Sequence, residues 1–271
     1  MRLSRCVRCE LVFAEPQPTD AELARYYGHY WGGDVAVSTP STRRYYLAQG
    51  VSRVRYITRW MRLKGSSVLD VGAGLGLFQD ALTRATGVAR YVAIETDHTQ
   101  LAALRARLGE NGAFSDVGDV PAGDAFDLIV LSHVLEHMPR PHEFIAPLVA
   151  RLKPGGLLFV EVPNSDQRYK SNFEPHLLFF DPASLRELLA RHGELLDVST
   201  VGKRASALHI VHAQPERGWL RHVKECVKTV IAVATPRFME TQIERYEMSA
   251  YGGDRQWLRG LLRATQAPVA A

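Results

Sequence analysis

The chain has 271 residues and a formal net charge of +4, with 46% hydrophobic and 23% charged residues. This composition is ordinary for a globular protein and excludes collagen-like, coiled-coil and wholly disordered chains. No apolar run reaches the roughly 18 residues that a transmembrane helix needs, and the start lacks the apolar segment of a secretory signal. Three cysteines are too few for a disulfide framework, so we expect a cytoplasmic protein without an integral membrane segment.

Residues 1–65 form the first of three predicted regions. Cys6 and Cys9 stand in a C-x-x-C pair, which is half of a four-ligand structural zinc site. An aromatic stretch follows, with Tyr26, Tyr27 and Tyr30 beside Trp31. These rings either form a lid that shields a bound ligand from water or pack as a helix on the sheet.

Residues 66–212 form the second region, in which short β-branched runs alternate with helical patterns. This alternation is typical of βαβ units around a parallel sheet. The predicted strands are Ser67–Val71, Tyr91–Glu95, Phe126–Ser132, Leu157–Val162, Leu195–Thr200 and Ala207–His212. The segment 201–206 between the last two is too short for a helical crossover, so we expect them to be antiparallel neighbours. A helix is predicted to begin after Asp181, with Pro182 in its first turn.

Residues 213–271 are predicted to form a helical extension. Its apolar residues with helical spacing are Trp219, Val223, Cys226, Val227, Val230 and Ile231. The basic residues Arg221, Lys224 and Lys228 lie off that stripe. The pattern favours packing onto the domain, or onto a second subunit in a homodimer, over lying on a membrane.

A glycine-rich turn follows the first strand of the second region. Asp70 ends the strand, and the turn contains Gly72, Gly74 and Gly76. Glycines let a ligand approach the backbone, and the N-terminus of the next helix offers free N–H donors. A dinucleotide site would have its third glycine at Leu77, which argues against an oxidoreductase. A tight structural turn is the alternative.

Acidic residues follow the next two strands. Glu95 ends the second strand, where a carboxylate can hold both hydroxyls of a ribose; a surface-loop acid is the alternative. Asp116 and Asp119 come after the presumed third strand, where an adenine amino group needs an acceptor. We favour Asp116 because it directly follows that strand.

The second region resembles class I S-adenosylmethionine-dependent methyltransferases. Residues 126–138 are similar to the family's fourth-strand motif, and residues 152–160 to the turn and strand that follow it. The resemblance implies an α/β fold with a Rossmann-like, doubly wound sheet of seven strands, one of them antiparallel, flanked by N-terminal and C-terminal helical extensions. The residues implied at the cofactor are Asp70, Gly72, Ala73 and Gly74 at the methionine part, Glu95 with Thr96 at the ribose, Asp116 and Val117 at the adenine, and Leu131 and Ser132 over the sulfonium.

The N-terminal cysteines resemble part of a known module. Within the family the chain is similar to small-molecule enzymes that include the ubiquinone-biosynthesis O-methyltransferases. Relatives in natural-product and surface-sugar pathways begin with a four-cysteine zinc ribbon, and residues 6–13 resemble its second half. The first cysteine pair is missing, and Glu10 replaces the usual glycine. We expect a vestigial or truncated ribbon; a zinc site completed by His29 or Cys226, and a redox pair, are the alternatives.

Three histidines and a glutamate are the candidates for catalysis. His133, Glu136 and His137 follow the fourth strand, and His176 lies in the loop after the fifth. Both segments hang over the carboxyl edge of the sheet, where ligands bind. His176 is the preferred general base and His133 the alternative. Alternatively, all four side chains could hold a divalent metal, in an arrangement similar to the metal ligands of the plant small-RNA 2′-O-methyltransferases. A third possibility is that they only cap helices and pack in the core.

A metal is not expected, because His133 stands where those plant enzymes have glutamate, which weakens a magnesium site. The function expected is methyl transfer from S-adenosylmethionine to a small molecule, most simply O-methylation of a natural-product, quinone-like or sugar hydroxyl. C- or N-methylation and a non-catalytic cofactor-binding protein are the alternatives. A nucleic-acid acceptor is disfavoured, because residues 131–134 read Leu-Ser-His-Val instead of the family's N-P-P-Y-like motif.

Overall fold

A mixed sheet of seven strands organises the protein in the computed structural model, which describes residues 2–30, 39–85, 87–169, 175–206, 218–245 and 251–265. The strands in these ranges are Arg2–Arg5 (β1), Val12–Glu15 (β2), Ser67–Val71 (β3), Arg90–Ile94 (β4), Ala113–Phe114 (β5), Phe126–Ser132 (β6), Leu152–Pro163 (β7), Leu178–Phe179 (β8), Glu194–Arg204 (β9) and Arg255–Arg263 (β10). The α-helices are Asp20–Gly28 (α1), Pro40–Ile57 (α2), Leu77–Ala85 (α3), His98–Leu108 (α4), Pro141–Ala150 (α5), Pro182–Ala190 (α6), Gly218–Ala234 (α7) and Pro236–Ile243 (α8).

The strand order of the large sheet is β5-β4-β3-β6-β7-β10-β9. The first five strands are parallel, whereas β10 runs antiparallel to both of its neighbours. The Rossmann-like, doubly wound α/β sheet with one antiparallel strand is therefore confirmed. The parallel order places the carboxyl ends of β3, β4 and β6 at one edge, which is where ligands bind in such sheets.

The last strand of the sheet lies farther along the chain than predicted. Residues 207–212, predicted as this strand, are outside the described residues, and β9 pairs with β10 instead. The expectation that residues 213–271 are helical throughout is wrong for β10, and residues 201–204 continue β9 instead of forming a turn. Leu258, Leu261 and Leu262 have helical spacing, but a central strand is buried on both faces and needs no alternation.

Helices cover both faces of the sheet. On one face α2 and α3 pack over β3, β6 and β7, with Val54 and Phe78 in the shared core. On the other face α5 and α6 contribute Ile145 and Leu185. The helices α2 and α3 cross so closely at Gly50 that a Cβ there would lie 2.9 Å from the Cβ of Ala81. Burial on two faces explains the near-continuous apolar runs of the parallel strands.

A small antiparallel sheet joins the N-terminus to the loop after β7. Its strand order is β1-β2-β8, with Val12 opposite Phe179. The N–H of Ala14 also donates to the carbonyl of Leu177 at 2.8 Å. Since Leu177 follows His176 directly, this sheet helps to fix the predicted base. Asp181 caps α6 by accepting from the N–H of Ser184 at 2.8 Å, which confirms the predicted helix start.

A buried ion network ties α2 to the sheet. Glu161 of β7 and Arg259 of β10 are opposite each other and fully buried. Oε2 of Glu161 accepts from Nε of Arg259 at 2.6 Å. Its Oε1 accepts from Nε and Nη2 of Arg53, in α2, at 2.8 and 2.6 Å. Burial alone would raise the pKa of Glu161, but the two guanidinium groups hold it well below its usual range.

The C-terminal helices α7 and α8 pack against α2. Ala232 and Ile243 face the body of the protein and are buried, but Val227 and Val230 are more than half exposed. These two residues therefore do not pack onto the domain, because the inward side of α7 carries Ala232 instead; packing onto a second subunit, the other predicted arrangement, stays a prediction. No helix in the described ranges is long and apolar enough to cross a membrane.

Candidate active site

The turn between β3 and α3 has a backbone that only glycine adopts without strain. Gly72, Gly74 and Gly76 have φ angles of +73°, +53° and +67°. The N–H of Gly72 donates to the carbonyl of Ile94, at the end of β4, at 2.9 Å. A Cβ on Gly72 would lie 2.4 Å from a methyl of Val134. The turn therefore lies close against the ends of the neighbouring strands.

Glu95, at the end of β4, is hydrogen-bonded to this turn. Its Oε2 accepts from the N–H of Gly74 at 2.7 Å, and its Oε1 accepts from the N–H of Asp97 at 2.9 Å. The side chain is buried, which raises its pKa. Thr96 beside it is exposed. The carboxylate of Glu95 thus lies directly beside the glycine turn, as the motif spacing indicates.

Asp70, at the end of β3, is buried and accepts a hydrogen bond from the hydroxyl of Tyr91. Burial raises the pKa of Asp70 to about 7, even though the Tyr91 hydroxyl and the nearby charge of Arg53 both lower it. A cationic group placed beside Asp70 would favour its ionised form. Sequence reasoning identified Asp70 but not Tyr91, because Tyr91 lies on the neighbouring strand and outside any motif.

The turn after β5 contains both acids proposed for the adenine. Asp116 accepts from the N–H of Gly118 at 2.7 Å, and Asp119 accepts from the N–H of Asp116 at 3.2 Å. The N–H of Glu95 donates to the carbonyl of Phe114 at 3.0 Å. The turn therefore belongs to the same sheet edge as Glu95. Val117, between the two acids, packs against the core.

The end of β6 offers main-chain groups and one hydroxyl. The side chain of Leu131 is fully buried in the core, so a ligand can meet it only through its backbone. Ser132 is half-buried. Its Oγ is buried and has no hydrogen-bond partner in the described part of the chain.

His133 extends the buried ion network to this sheet edge. Its backbone is left-handed, with φ +57°, and its N–H donates to the carbonyl of Glu161 at 2.8 Å. Its Nδ1 lies 3.3 Å from Glu136 and its Nε2 lies 3.4 Å from Glu161. Burial lowers its pKa, but the hydrogen bonds to these two carboxylates outweigh burial and raise the pKa of His133 to about 9. At neutral pH both ring nitrogens therefore carry protons.

Glu136, His137 and His176 form a buried cluster. One ligand atom from each lies within 4.8 Å of the other two, and the two imidazole rings meet edge to face at 5.0 Å. His133 is not in this group, so the structure brings together three of the four predicted residues. The fourth, His133, lies between Glu136 of the cluster and Glu161. The cluster is the one group of three or more such side chains found in the described ranges.

The two histidines of the cluster are held through their Nδ1 atoms. Nδ1 of His176 lies 2.7 Å from the carboxylate of Asp166, and Nδ1 of His137 lies 3.2 Å from the carbonyl of Pro175. These contacts fix the orientation of both rings, and Nε2 of His137 lies 3.9 Å from the carboxylate of Glu136. Asp166 is buried, and sequence reasoning missed it. Its position in a polar segment directly after β7 was the available signal.

The donor set of the cluster fits a divalent metal. Two imidazoles and one carboxylate are common ligands of zinc and related ions. Oε2 of Glu136 is buried and lacks a hydrogen-bond partner among the described residues, which is an energetic cost that a cation would remove. Histidine ligands are commonly oriented by a carboxylate or a carbonyl at the other nitrogen, as Asp166 and Pro175 do here.

Tyr27, an aromatic residue of α1, packs against the cluster. The ring of Tyr27 contacts His137 at 5.6 Å and packs against Tyr26 and Tyr30. Burial, with the charge of Glu136 also contributing, raises the pKa of Tyr27 and Tyr30. Tyr26 and Tyr30 remain partly exposed, and Trp31 is outside the described residues. Tyr27 thus packs on His137, and a lid function of these aromatic residues stays a prediction.

The cysteine pair lies in the turn between β1 and β2. Glu10 has φ +59°, a left-handed backbone conformation that glycine adopts more readily. Hydrogen bonds from the backbone of Cys9 and Arg8 lower the pKa of Cys6. His29 packs on His98, and Cys226 is exposed on α7. Neither residue joins the pair in a ligand group within the described ranges, and the vestigial ribbon stays a prediction.

Comparison with known proteins agrees with this arrangement. A family model described as a methyltransferase domain matches residues 41–195, more than half of the chain. A ubiquinone biosynthesis O-methyltransferase from Coxiella burnetii is 35% identical over 117 residues, covering 41% of this chain and 50% of the relative. An uncharacterized methyltransferase from Mycobacterium marinum is 34% identical over 159 residues, covering 57% of this chain and 55% of the relative.

A solved structure shares the fold. The plantazolicin methyltransferase BpumL, in complex with S-adenosylhomocysteine, aligns with a TM-score of 0.51 at 15% identity, covering 89% of this chain and 95% of that one. The chain spans about half the length of the curated relatives it matches. With the family model and the sheet order in agreement, the chain belongs to the class I S-adenosylmethionine-dependent methyltransferases.

Proposed function

We propose that the protein transfers the methyl group of S-adenosylmethionine to a hydroxyl group of a small molecule, with His176 as the general base. The observation that carries this proposal is the buried pair of His176 and Asp166, whose facing atoms are 2.7 Å apart. A histidine held by a carboxylate at Nδ1 can take a proton at Nε2 and is stabilised once it is charged. The likeness to an O-methyltransferase supports a phenolic or quinone-like acceptor; a sugar or natural-product hydroxyl fits the same chemistry.

The cofactor is proposed to lie across the carboxyl ends of β3, β4 and β6. Glu95 would accept from the ribose hydroxyls while it holds the N–H of Gly74. Asp70 would face the cationic amino group of the methionine part, which favours its ionised form despite burial. Asp116 with Val117 would meet the adenine. The backbone of Leu131 and the unpartnered hydroxyl of Ser132 would lie beside the sulfonium.

The proposed reaction is a direct displacement. The acceptor oxygen forms a bond to the methyl carbon as the carbon–sulfur bond breaks, and its proton passes to Nε2 of His176. The products are a methyl ether and S-adenosylhomocysteine. Aligning the oxygen, methyl carbon and sulfur supplies much of the rate enhancement. His133 does not serve as the base in this scheme, because its raised pKa keeps it protonated.

A metal-assisted variant is the second candidate, favoured by the unpartnered Oε2 of Glu136. Glu136, His137 and His176 would hold the ion. A bound divalent cation would lower the pKa of an acceptor hydroxyl and orient it. His176 would then act as a ligand and Asp166 would orient its ring. The two schemes differ in their response to chelation, which abolishes activity only if the metal-assisted scheme holds.

We expect Glu95→Gln to weaken binding of S-adenosylhomocysteine by about 1–3 kcal/mol, the scale of leaving buried polar groups badly paired. Isothermal calorimetry measures this directly. Glu110→Gln is the matched control, because Glu110 is an exposed glutamate whose charge lies outside the proposed site. Equal affinity for the Glu95 variant and the parent protein would contradict the assignment of the ribose site.

We expect His176→Ala to reduce methyl transfer about 100-fold or more while affinity for S-adenosylhomocysteine stays nearly unchanged. The assay follows labelled methyl from S-adenosylmethionine into a panel of catechols, phenols and hexoses. His142→Ala, at a largely surface histidine near His192, is the control. Full activity of the His176 variant would disprove the base. Loss of parental activity on chelation, restored by Zn²⁺ or Mn²⁺, would establish the metal-assisted scheme instead.

The pKa of His133 predicts a pH-dependent stability. Its folded-state pKa, about 9, exceeds the ordinary value of 6.5, so its stabilising contribution is complete below about pH 6.5 and is lost as the pH rises through 9. We expect the difference in unfolding free energy between the parent and His133→Asn to shrink by roughly 1–3 kcal/mol over that range. Urea unfolding at several pH values measures it. A difference that stays constant would show that His133 is not charged in the native state.

A further inference from the structure

A buried glutamine of α2 has an amide oxygen without a hydrogen-bond partner. Gln49 is only 3% exposed, and its Oε1 is buried and accepts no hydrogen bond from the described part of the chain. An unpaired buried acceptor is an energetic cost that a bound donor would remove. No step of the proposed reaction uses Gln49. This residue is therefore a candidate for binding a ligand that donates hydrogen bonds.

The position of Gln49 along α2 places it toward the carboxyl edge of the sheet. The helix ends at Ile57, and residues 58–66 connect it to the start of β3, so its C-terminal end lies near the amino edge. The packing of Gly50 agrees with this direction. A Cβ on Gly50 would lie 3.4 Å from the carbonyl oxygen of Leu77, the first residue of α3 after the glycine turn. The N-terminal half of α2 therefore lies beside the proposed cofactor site.

The side chain of Gln49 faces the sheet. Arg53 follows Gln49 by four residues, so the two side chains share one face of α2, about 6 Å apart along the helix axis. Arg53 points at the sheet, because its Nη2 lies 2.6 Å from Oε1 of Glu161 on β7. Gln49 thus lies over the same face of the sheet, one helical turn nearer to the carboxyl edge.

Two polar side chains of the sheet point toward α2 at this edge. Side chains alternate between the two faces along a strand, and Val68 of β3 and Leu128 of β6 pack in the core beneath α2. Asp70 and Ser132 lie an even number of residues further along the same strands and therefore face α2 as well. Together with Gln49 they border one space between α2 and the carboxyl ends of β3 and β6.

The hydrogen-bonding groups around this space select the part of the ligand that fits it. The amide oxygen of Gln49 and the carboxylate of Asp70 are both acceptors, so the bound group must supply several donors. An ammonium group has three donors and a positive charge, and its hydrogen bonds to a carboxylate are charge-assisted. We propose that Gln49 binds the amino-acid end of S-adenosylmethionine, with Oε1 accepting a hydrogen bond from the α-ammonium group beside Asp70. This inference rests on the proposed function and adds α2 to the elements that bind the cofactor.

Calorimetry of Gln49→Met with two ligands tests the inference, because methionine has a similar length and volume but no amide oxygen. The ligands are S-adenosylhomocysteine and its analogue with hydrogen in place of the α-amino group. We expect binding of S-adenosylhomocysteine to weaken about tenfold or more, and binding of the analogue to weaken less than about threefold, since the analogue lacks the donor.

Gln17→Met is the matched control. The amide oxygen of Gln17 is also buried without a hydrogen-bond partner among the described residues, but its amide nitrogen donates to the carbonyl of Ala14 on β2, in the small sheet. This substitution should leave both affinities within about twofold.

Gln49→Asn, whose amide oxygen is withdrawn by one methylene, provides the same comparison if the methionine variant does not fold. Equal binding of S-adenosylhomocysteine by the parent and the Gln49 variant would overturn the inference and leave the proposed cofactor site intact. Equal losses for both ligands would also overturn it, because Gln49 would then act on a part of the cofactor other than the ammonium group. A parent protein that binds neither ligand would instead contradict the proposed function, and the inference with it.

Discussion

The carboxylate of Glu161 is the constraint on which the active-site edge depends. It is fully buried and can stay ionised there only because Arg53 and Arg259 donate to it at 2.6–2.8 Å. Removing these charges from water is costly, and the cost is offset only in a fixed geometry. The three side chains come from β7, α2 and β10. Their pairing therefore sets how α2 and the antiparallel strand lie on the sheet.

The same carboxylate determines the role of His133. Its Nε2 lies near Glu161 and its Nδ1 lies near Glu136. These two carboxylates raise the pKa of His133 and hold the ring in place. His176 has a different environment, held by Asp166 outside the Glu161 network. The structure thus gives different environments to His176, which sequence reasoning preferred as the base, and to His133, which it kept as the alternative. This difference supports the proposal that His176, and not His133, accepts the proton or binds a metal.

Local patterns made much of the site predictable. The glycine turn and Glu95 follow strand ends at short spacing, and parallel strands place such residues at one edge. The clustering of Glu136 with His176 followed from the same rule. Pairings between distant residues carry no local pattern, so the ion pairs that Glu161 makes 108 and 98 residues away, with Arg53 and Arg259, were missed. The strand β10 was missed for a related reason. Its apolar residues have helix-like spacing, but hydrogen bonding to β7 on one side and to β9 on the other makes this segment a strand.

The central claim is that the charge of Glu161, and not merely its shape, organises this edge. Urea unfolding of Glu161→Gln tests it most directly, because glutamine keeps the volume and removes the charge. The account predicts a loss of about 3–5 kcal/mol in unfolding free energy, since two guanidinium groups are left buried without their partner. Glu187→Gln, at a partly exposed helix position, should change stability by less than about 0.5 kcal/mol. A loss for Glu161→Gln no larger than that of this control would contradict the account.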